Sequence, residues 1–295
     1  MCRLYGFRAT HPTRVQCELI EAQNSLMRQS RRDGRGLGNP DGWGLGTVRD
    51  GTLRCEREVG PAYESEEYRR DAARVDASTV LAHVRRATVG EPREENTHPF
   101  RREGSLLAHN GHVPAFDRIR PRLLEAMAPE LERGIRGSTD SEHVFHLLLS
   151  RLRDRVDVGA DEPVGEAGVD SRAMGDVLRG TIRELQDWCG DELPEAEGIP
   201  RGPDGHRLDR LALNLLWTSG PSLAGSRFGR SLWYVERQGA HRCEVCGETH
   251  PDPVPDGYRS IVVASERITD EDWQEVPEAS VFHVDEEMRL RARPL

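Results

Sequence analysis

Residues 2–7, Cys-Arg-Leu-Tyr-Gly-Phe, alternate in polarity and predict a strand at the start of the chain. Over 15–32, Leu19, Ile20, Leu26 and Met27 recur at near-helical spacing, which predicts a helix. Two β-prone runs flank Arg49-Asp50-Gly51; Asp-Gly favours a tight turn, so a hairpin is expected there. A charged helix over 64–76 precedes strands at 78–88 and 104–113. Helices follow at 117–133, 140–154 and 171–189. Ser138, Thr139 or Asp140 is placed to cap the second of these, with Glu142 in its first turn. The polar, Gly- and Pro-containing stretch 155–170 reads as a loop, as does the segment leading to about 207. Strand-like runs then occupy 211–220, 231–237, 258–266 and 279–287.

Strands at both ends with helices between them imply an α+β arrangement of helix-covered sheets. The late strands are as apolar as the early ones. The expected organisation is therefore one compound domain over 2–295, with a helical and loop insertion around 155–207 and a Cys-x2-Cys loop around 240–251.

Composition narrows the functional classes. No run of eighteen apolar residues exists, and the start of the chain lacks a secretory signal pattern. The expectation is a cytoplasmic protein whose six cysteines stay reduced and form no disulfide framework. A formal charge of −10 argues against nucleic acid or an anionic membrane as partner. All 41 basic residues are arginine. Lysine Schiff-base and P-loop chemistry are excluded with it.

Cys2 carries the most distinctive chemistry. Once Met1 is removed, one residue presents a thiol and a free α-amine, with ordinary pKa values near 8.5 and 8. The amine is then a built-in base for the nucleophile, reached through a bridging water. A thiol attacking an amide needs an oxyanion hole, and Asn110 with the Gly111 backbone N–H can supply one; Asn-Gly also simply makes turns. Arg85 or Arg86, at a strand end, can grip a carboxylate bidentately or lie on the surface. Alternation puts His83, Arg85 and Ala87 on one face and Ala82, Val84 and Arg86 on the other, without deciding which face is functional. His98 precedes Pro99, and Asp140 sits at a helix start, where it can cap or receive an ammonium. Cys243 and Cys246, flanked by His241 and His250, form half of a zinc knuckle; no second ligand pair is obvious, and a metal-free loop is the preferred reading.

The stretches Cys2, Asn39-Pro-Asp-Gly-Trp-Gly-Leu-Gly46, His83-Val-Arg-Arg-Ala-Thr88, Asn96-Thr-His-Pro-Phe100, His109-Asn-Gly111 and Ser138-Thr-Asp-Ser-Glu142 occur in that order. Together they resemble the class II glutamine amidotransferases, the N-terminal-nucleophile family, over Cys2 to about residue 150. The Asp-Gly-Trp-Gly version, the lack of a fused synthase domain and the late Val262–Pro277 stretch are most similar to a stand-alone, γ-glutamyl-amidase-like branch. The resemblance implies a four-layer αββα sandwich of the N-terminal-nucleophile hydrolase type. It also implies Cys2 as nucleophile, Asn110 and Gly111 as oxyanion hole, and Arg85 on the substrate carboxylate with Thr88 nearby. Asp140 would take the ammonium, and His98 would order the pocket. Val89 stands where sugar-synthesising members often have histidine.

The implied reaction is hydrolysis of a γ-glutamyl amide, in glutamine or a γ-glutamyl conjugate, through a Cys2 thioester, with no metal and no cofactor. One alternative is a glutaminase subunit delivering ammonia to a separate synthase or acceptor. An alternative of another class is a non-catalytic binding module. The retention of Cys2, Arg85, Asn110, Gly111 and Asp140 argues against the latter, since losing any one is the cheapest route to inactivity.

Overall fold

The computed structural model describes residues 2–156, 169–192, 210–243 and 245–295. The expected loops at 155–170 and up to 207 lie largely outside them.

The first strand, β1 (Arg3–Arg14), runs twice as far as its opening alternation suggests. It pairs with β4 (Asp76–Arg85) on one side and β12 (Arg259–Ala264) on the other, so the start of the chain lies mid-sheet. The hairpin at Asp50-Gly51 forms as expected, joining β2 (Gly42–Arg49) to β3 (Thr52–Glu58). With β9 (Trp233–Gln238) and β13 (Gln274–Glu275) these make a seven-stranded sheet in the order β13-β9-β12-β1-β4-β2-β3. The second sheet orders β15 (Leu290–Pro294), β14 (Ser280–Val284), β8 (Ser222–Arg227), β7 (Ala212–Ser219), β6 (Ser105–His112) and β5 (Phe100–Arg102). A separate two-stranded hairpin pairs β10 (His241–Arg242) with β11 (Thr249–His250).

Three apolar clusters show how the layers stack. Leu4, Leu81, Leu106, Leu216 and Val263 join the inner faces of the two sheets. Tyr5 and Val84 belong to the outer face of the first sheet, which packs with Tyr68 of α2 (Glu66–Arg74) and is covered by a π-turn (Cys17–Glu21), α1 (Leu26–Arg31) and α2. The outer face of the second sheet lies under α3 (Phe116–Glu125), α4 (Pro129–Glu132), α5 (Asp140–Val156) and α6 (Ser171–Glu192). The result is the αββα sandwich, held by alternate side chains that each sheet sends to its two faces. Met174, Leu178, Ile182 and Leu185 of α6 are fully buried here. That helix, inside the span expected as an insertion, is part of the second helical layer.

Two expected helices are broken. The run 15–32 splits into the π-turn and α1, because Ser25 accepts the Arg28 N–H and caps a new helix. The run 117–133 splits at 126–128, since Pro129 cannot continue a helix and starts α4 instead. The small strands β5, β8, β13 and β15 were not expected. Ser-Leu-Ala-Gly-Ser-Arg in β8 has too little β-branched content to announce itself, and Gly225 is needed where Phe282 crosses.

Candidate active site

Strand register assembles the site at one end of the sandwich. Arg3 opposes Val84 and Leu4 opposes His83, so the next step sets Cys2 opposite Arg85, the last residue of β4. Leu4 and Leu81 are in the inter-sheet core, and period-two alternation puts Cys2 and Arg85 on that same inner face. His83 and Arg85 therefore share the inner face with Cys2. Arg86, on the other face, donates to the carbonyl of Gly38 instead.

The Cys2 sulfur is held by one residue. Arg86 N–H donates to Sγ at 3.3 Å, and the thiol lies 3.4 Å from the Arg86 carbonyl. Burial raises the thiol above its ordinary pKa, against the opposing pull of the Arg86 amide and the Arg85 guanidinium. The thiol is therefore neutral at pH 7, and a nucleophilic role requires a nearby proton acceptor.

Arg85 is buried, and its guanidinium donates to the carbonyls of Val89 (3.0 Å), Gly90 (3.1 Å) and Glu91 (3.3 Å). Of the five guanidinium donors, three are committed to aiming the group. Burial lowers its pKa, while Cys2, Asp41 and Asp140 each act to raise it. Cys2, Arg85 and Asp140 thus share one electrostatic neighbourhood. Asp41 anchors this end of β4 by accepting the Ala87 N–H at 2.7 Å and donating its own N–H to the Arg85 carbonyl.

Asp140 is not the cap of α5. Thr139 Oγ1 accepts the Glu142 N–H, and the Glu142 carboxylate turns back to the amides of Arg136 and Gly137. The buried Asp140 carboxylate instead accepts Val113 N–H at 2.7 Å and Ser141 N–H at 2.8 Å. Those contacts tie the end of β6 to the start of α5 and fix a negative charge whose field acts on Arg85. Behind it, His109 contacts Ser141 Oγ (2.8 Å) and the Ala212 carbonyl (3.0 Å), and burial keeps its ring neutral.

Leu106 and Ala108 face the inter-sheet core, so Asn110 on β6 faces inward too. Its side-chain amide has no hydrogen-bond partner among the described residues. Gly111 must be glycine: a Cβ there would collide with the Ala212 carbonyl and the His109 ring. Gly44 is likewise required, because a Cβ would strike the His98 carbonyl. His98 is 4 % exposed and packs tilted against His83 (centroids 4.3 Å apart) and edge-on against Phe100 (4.6 Å). Burial pushes the His83 pKa down to about 3, and His98 well below its usual range, so both rings are neutral. Thr88 is exposed, on the lip of a groove of about 460 Å³ that Val89, His112, Val113 and Phe116 also line.

The sequence reading missed the support under Cys2. Arg3 donates to the Cys2 carbonyl at 2.9 Å, to Asp33 at 2.5 Å and to Glu266 at 2.7 Å. Glu266 also accepts the Gly34 N–H and an Asn24 side-chain N–H. An arginine directly after the cysteine, at the head of the apolar run Leu4-Tyr-Gly-Phe7, is the signal that could have revealed it. Cys243 and Cys246 pack on the opposite, helix-covered face of the first sheet and take no part in this constellation.

The model of the family "Glutamine amidotransferases class-II" matches residues 1–176, more than half of the chain. The chain belongs to that family. It is 28 % identical to the probable glutamine amidotransferase DUG3 of Saccharomyces cerevisiae over 96 % of this chain and 82 % of the relative. It is 36 % identical to the gamma-glutamyl-hercynylcysteine sulfoxide hydrolase of Mycobacterium tuberculosis, over 55 % of this chain and 69 % of that one. Its fold superposes on a glutamine aminotransferase class-II domain protein from Silicibacter pomeroyi with a TM-score of 0.61, at 18 % identity, covering 100 % of this chain and 99 % of the other. The expected family, its N-terminal-nucleophile hydrolase fold and its class as an enzyme are thereby established. No helix among the described residues is long and apolar enough to cross a membrane.

Proposed function

We propose that this class II amidotransferase hydrolyses a γ-glutamyl amide bond, with Cys2 as nucleophile after loss of Met1. The observation that carries the reading is the shared neighbourhood of Cys2, Arg85 and Asp140. A γ-glutamyl group has a carboxylate and an ammonium at one end and an amide at the other. Arg85 takes the carboxylate with its uncommitted N–H donors, and Asp140 takes the ammonium. The amide carbonyl then falls at the sulfur. Charge-assisted hydrogen bonds are worth about 1.5–3 kcal/mol each, which rejects amides lacking either charge.

The Cys2 α-amine accepts the thiol proton as the S–C bond forms on the γ-carbonyl. The oxyanion so created lies against the Asn110 amide and the Gly111 N–H, each worth about 3 kcal/mol of barrier. Collapse breaks the C–N bond, and the leaving amine takes the proton from the α-ammonium. Water, deprotonated by the same amine, cleaves the thioester and releases glutamate. The hydrolase relative named for a γ-glutamyl conjugate supports this reading over ammonia delivery to an acceptor.

The experiment has three parts. Intact-mass measurement should show Met1 absent and the amine unblocked. Glutamine and a panel of γ-glutamyl peptides should release glutamate from the isolated protein, and Cys2→Ala should abolish that release while melting normally. Wild-type rates from Cys2→Ala would refute the assignment. Ammonia output only with an added acceptor protein would replace it with the glutaminase-subunit reading.

A further inference from the structure

Cys17 opens the π-turn directly after β1, and 226 residues later Cys243 and Cys246 sit on the turn between β10 and β11. The fold brings them together. Cys17 Sγ lies 2.8 Å from Cys243 Sγ and 4.0 Å from Cys246 Sγ, and Cys246 Sγ lies 3.2 Å from His250 Nε2. The ligand atoms of Cys17, Cys246 and His250 all fall within 4.8 Å of one another. We propose that Cys17, Cys243, Cys246 and His250 bind one zinc ion as a closed structural site that staples this hairpin to the turn following β1.

The donor set and its geometry select the ion. Three thiolates and one imidazole are a zinc set, and soft sulfur excludes magnesium and calcium. Zn–S of about 2.3 Å and Zn–N of about 2.0–2.1 Å give tetrahedral edges of about 3.5–3.8 Å. These three separations straddle that range, so shifts of about 1 Å bring those pairs to it, and Cys243, in contact with Cys17, is the fourth ligand within range of the group. A cluster of several irons would need its thiolates spread more widely. The Cys17–Cys243 separation is well beyond the roughly 2.05 Å of a disulfide.

The turn is built as a knuckle. Gly247 at φ +73°, a left-handed position suited to glycine, closes it by donating to the Cys243 carbonyl at 2.9 Å. Cys17 and Cys243 are buried and the other two ligands half-buried. The hairpin has little else to fix it: its strands are two residues each, and Val245 and Val254 lie exposed. All four positions come from protein, so the ion holds structure and has no open site for substrate. Binding displaces the thiol protons and adds its free energy to that of folding.

The test uses full-length protein without a histidine tag, expressed with zinc in the medium. Mass-spectrometric metal analysis should give one zinc per chain, released by a mercurial thiol reagent. Cys17→Ser should lose most of the metal, whereas Cys189→Ser, on α6, should keep it. Cobalt exchanged into the wild type should show thiolate charge-transfer and tetrahedral ligand-field bands, an arm that does not depend on any variant folding. Less than about a tenth of an equivalent of zinc, a Cys17–Cys243 disulfide in the isolated protein, or full metal content in Cys17→Ser would overturn the assignment. Glutamate release is not among the readouts, so this outcome is separate from that of the proposed reaction.

Discussion

Ser141 Oγ lies 2.8 Å from His109 Nδ1 and 3.1 Å from Asp140 Oδ1, and its single proton goes to the histidine. The Ala212 carbonyl can only accept, so the neutral His109 ring spends its one N–H there and leaves Nδ1 as an acceptor. Asp140 is held by two backbone amides alone. Ser141→Ala therefore leaves a buried Nδ1 without a partner, at a cost of about 1–3 kcal/mol. At about 2–4 °C per kcal/mol, Tm should fall by roughly 2–12 °C while kcat/KM stays within about threefold of wild type. A large loss of kcat/KM at unchanged Tm would contradict this division of labour.

Asp140→Asn removes the charge offered to the ammonium and keeps an oxygen for one of the two amides. Loss of one charge-assisted contact of about 1.5–3 kcal/mol corresponds to roughly a 10- to 150-fold drop in kcat/KM. Steady-state kinetics on a γ-glutamyl amide and on its deaminated analogue should show the variant losing the preference between them. A preserved preference would mean the ammonium binds elsewhere.

Glu266→Gln weakens the clamp on Arg3 that fixes the Cys2 carbonyl. Breaking one side of a buried ion pair typically costs about 3–5 kcal/mol; here Asp33 still holds Arg3, and about 1–3 kcal/mol is expected. Urea unfolding checks the stability loss. Iodoacetamide labelling of Cys2 should also speed up, because the residue bearing the sulfur is held less firmly.

His83 sets an acid limit. Its folded pKa is pushed down to about 3 by burial, with Arg85 adding repulsion, whereas the unfolded ring titrates near 6.5. Between those values the unfolded chain binds the extra proton, so stability is fully present above about pH 6.5 and falls as pH drops toward 3. The contribution is about 1.4 kcal/mol per pH unit. His83→Gln should flatten the slope of unfolding free energy between pH 6 and pH 4 by up to that amount, measured by urea titration at each pH. An unchanged slope would assign the acid sensitivity to other groups.

The layers of this fold and the order of its motifs are legible in the sequence because they rest on local pattern: alternation in β1, β4 and β6, and helical spacing in α5 and α6. What was not legible depends on residues far apart. Arg3 meets Glu266, and Cys17 meets Cys243, only after the chain has folded back through two sheets. The helix breaks at Ser25 and Pro129 are local, but apolar spacing outweighed them in the reading. Asp140 shows the limit of motif chemistry: three adjacent candidates could cap α5, and only the structure assigns that task to Thr139 and leaves the aspartate for other work.

The place of β1 between β4 and β12 has a consequence for biosynthesis. One neighbour is complete by residue 85, the other only once residue 264 has left the ribosome. At about 5–20 residues per second, one flank of the strand waits at least roughly ten seconds for its partner. During that wait the Cys2 end is still open to the processing enzymes that trim nascent chains, and the bare flank is the part of the molecule most in need of chaperone cover.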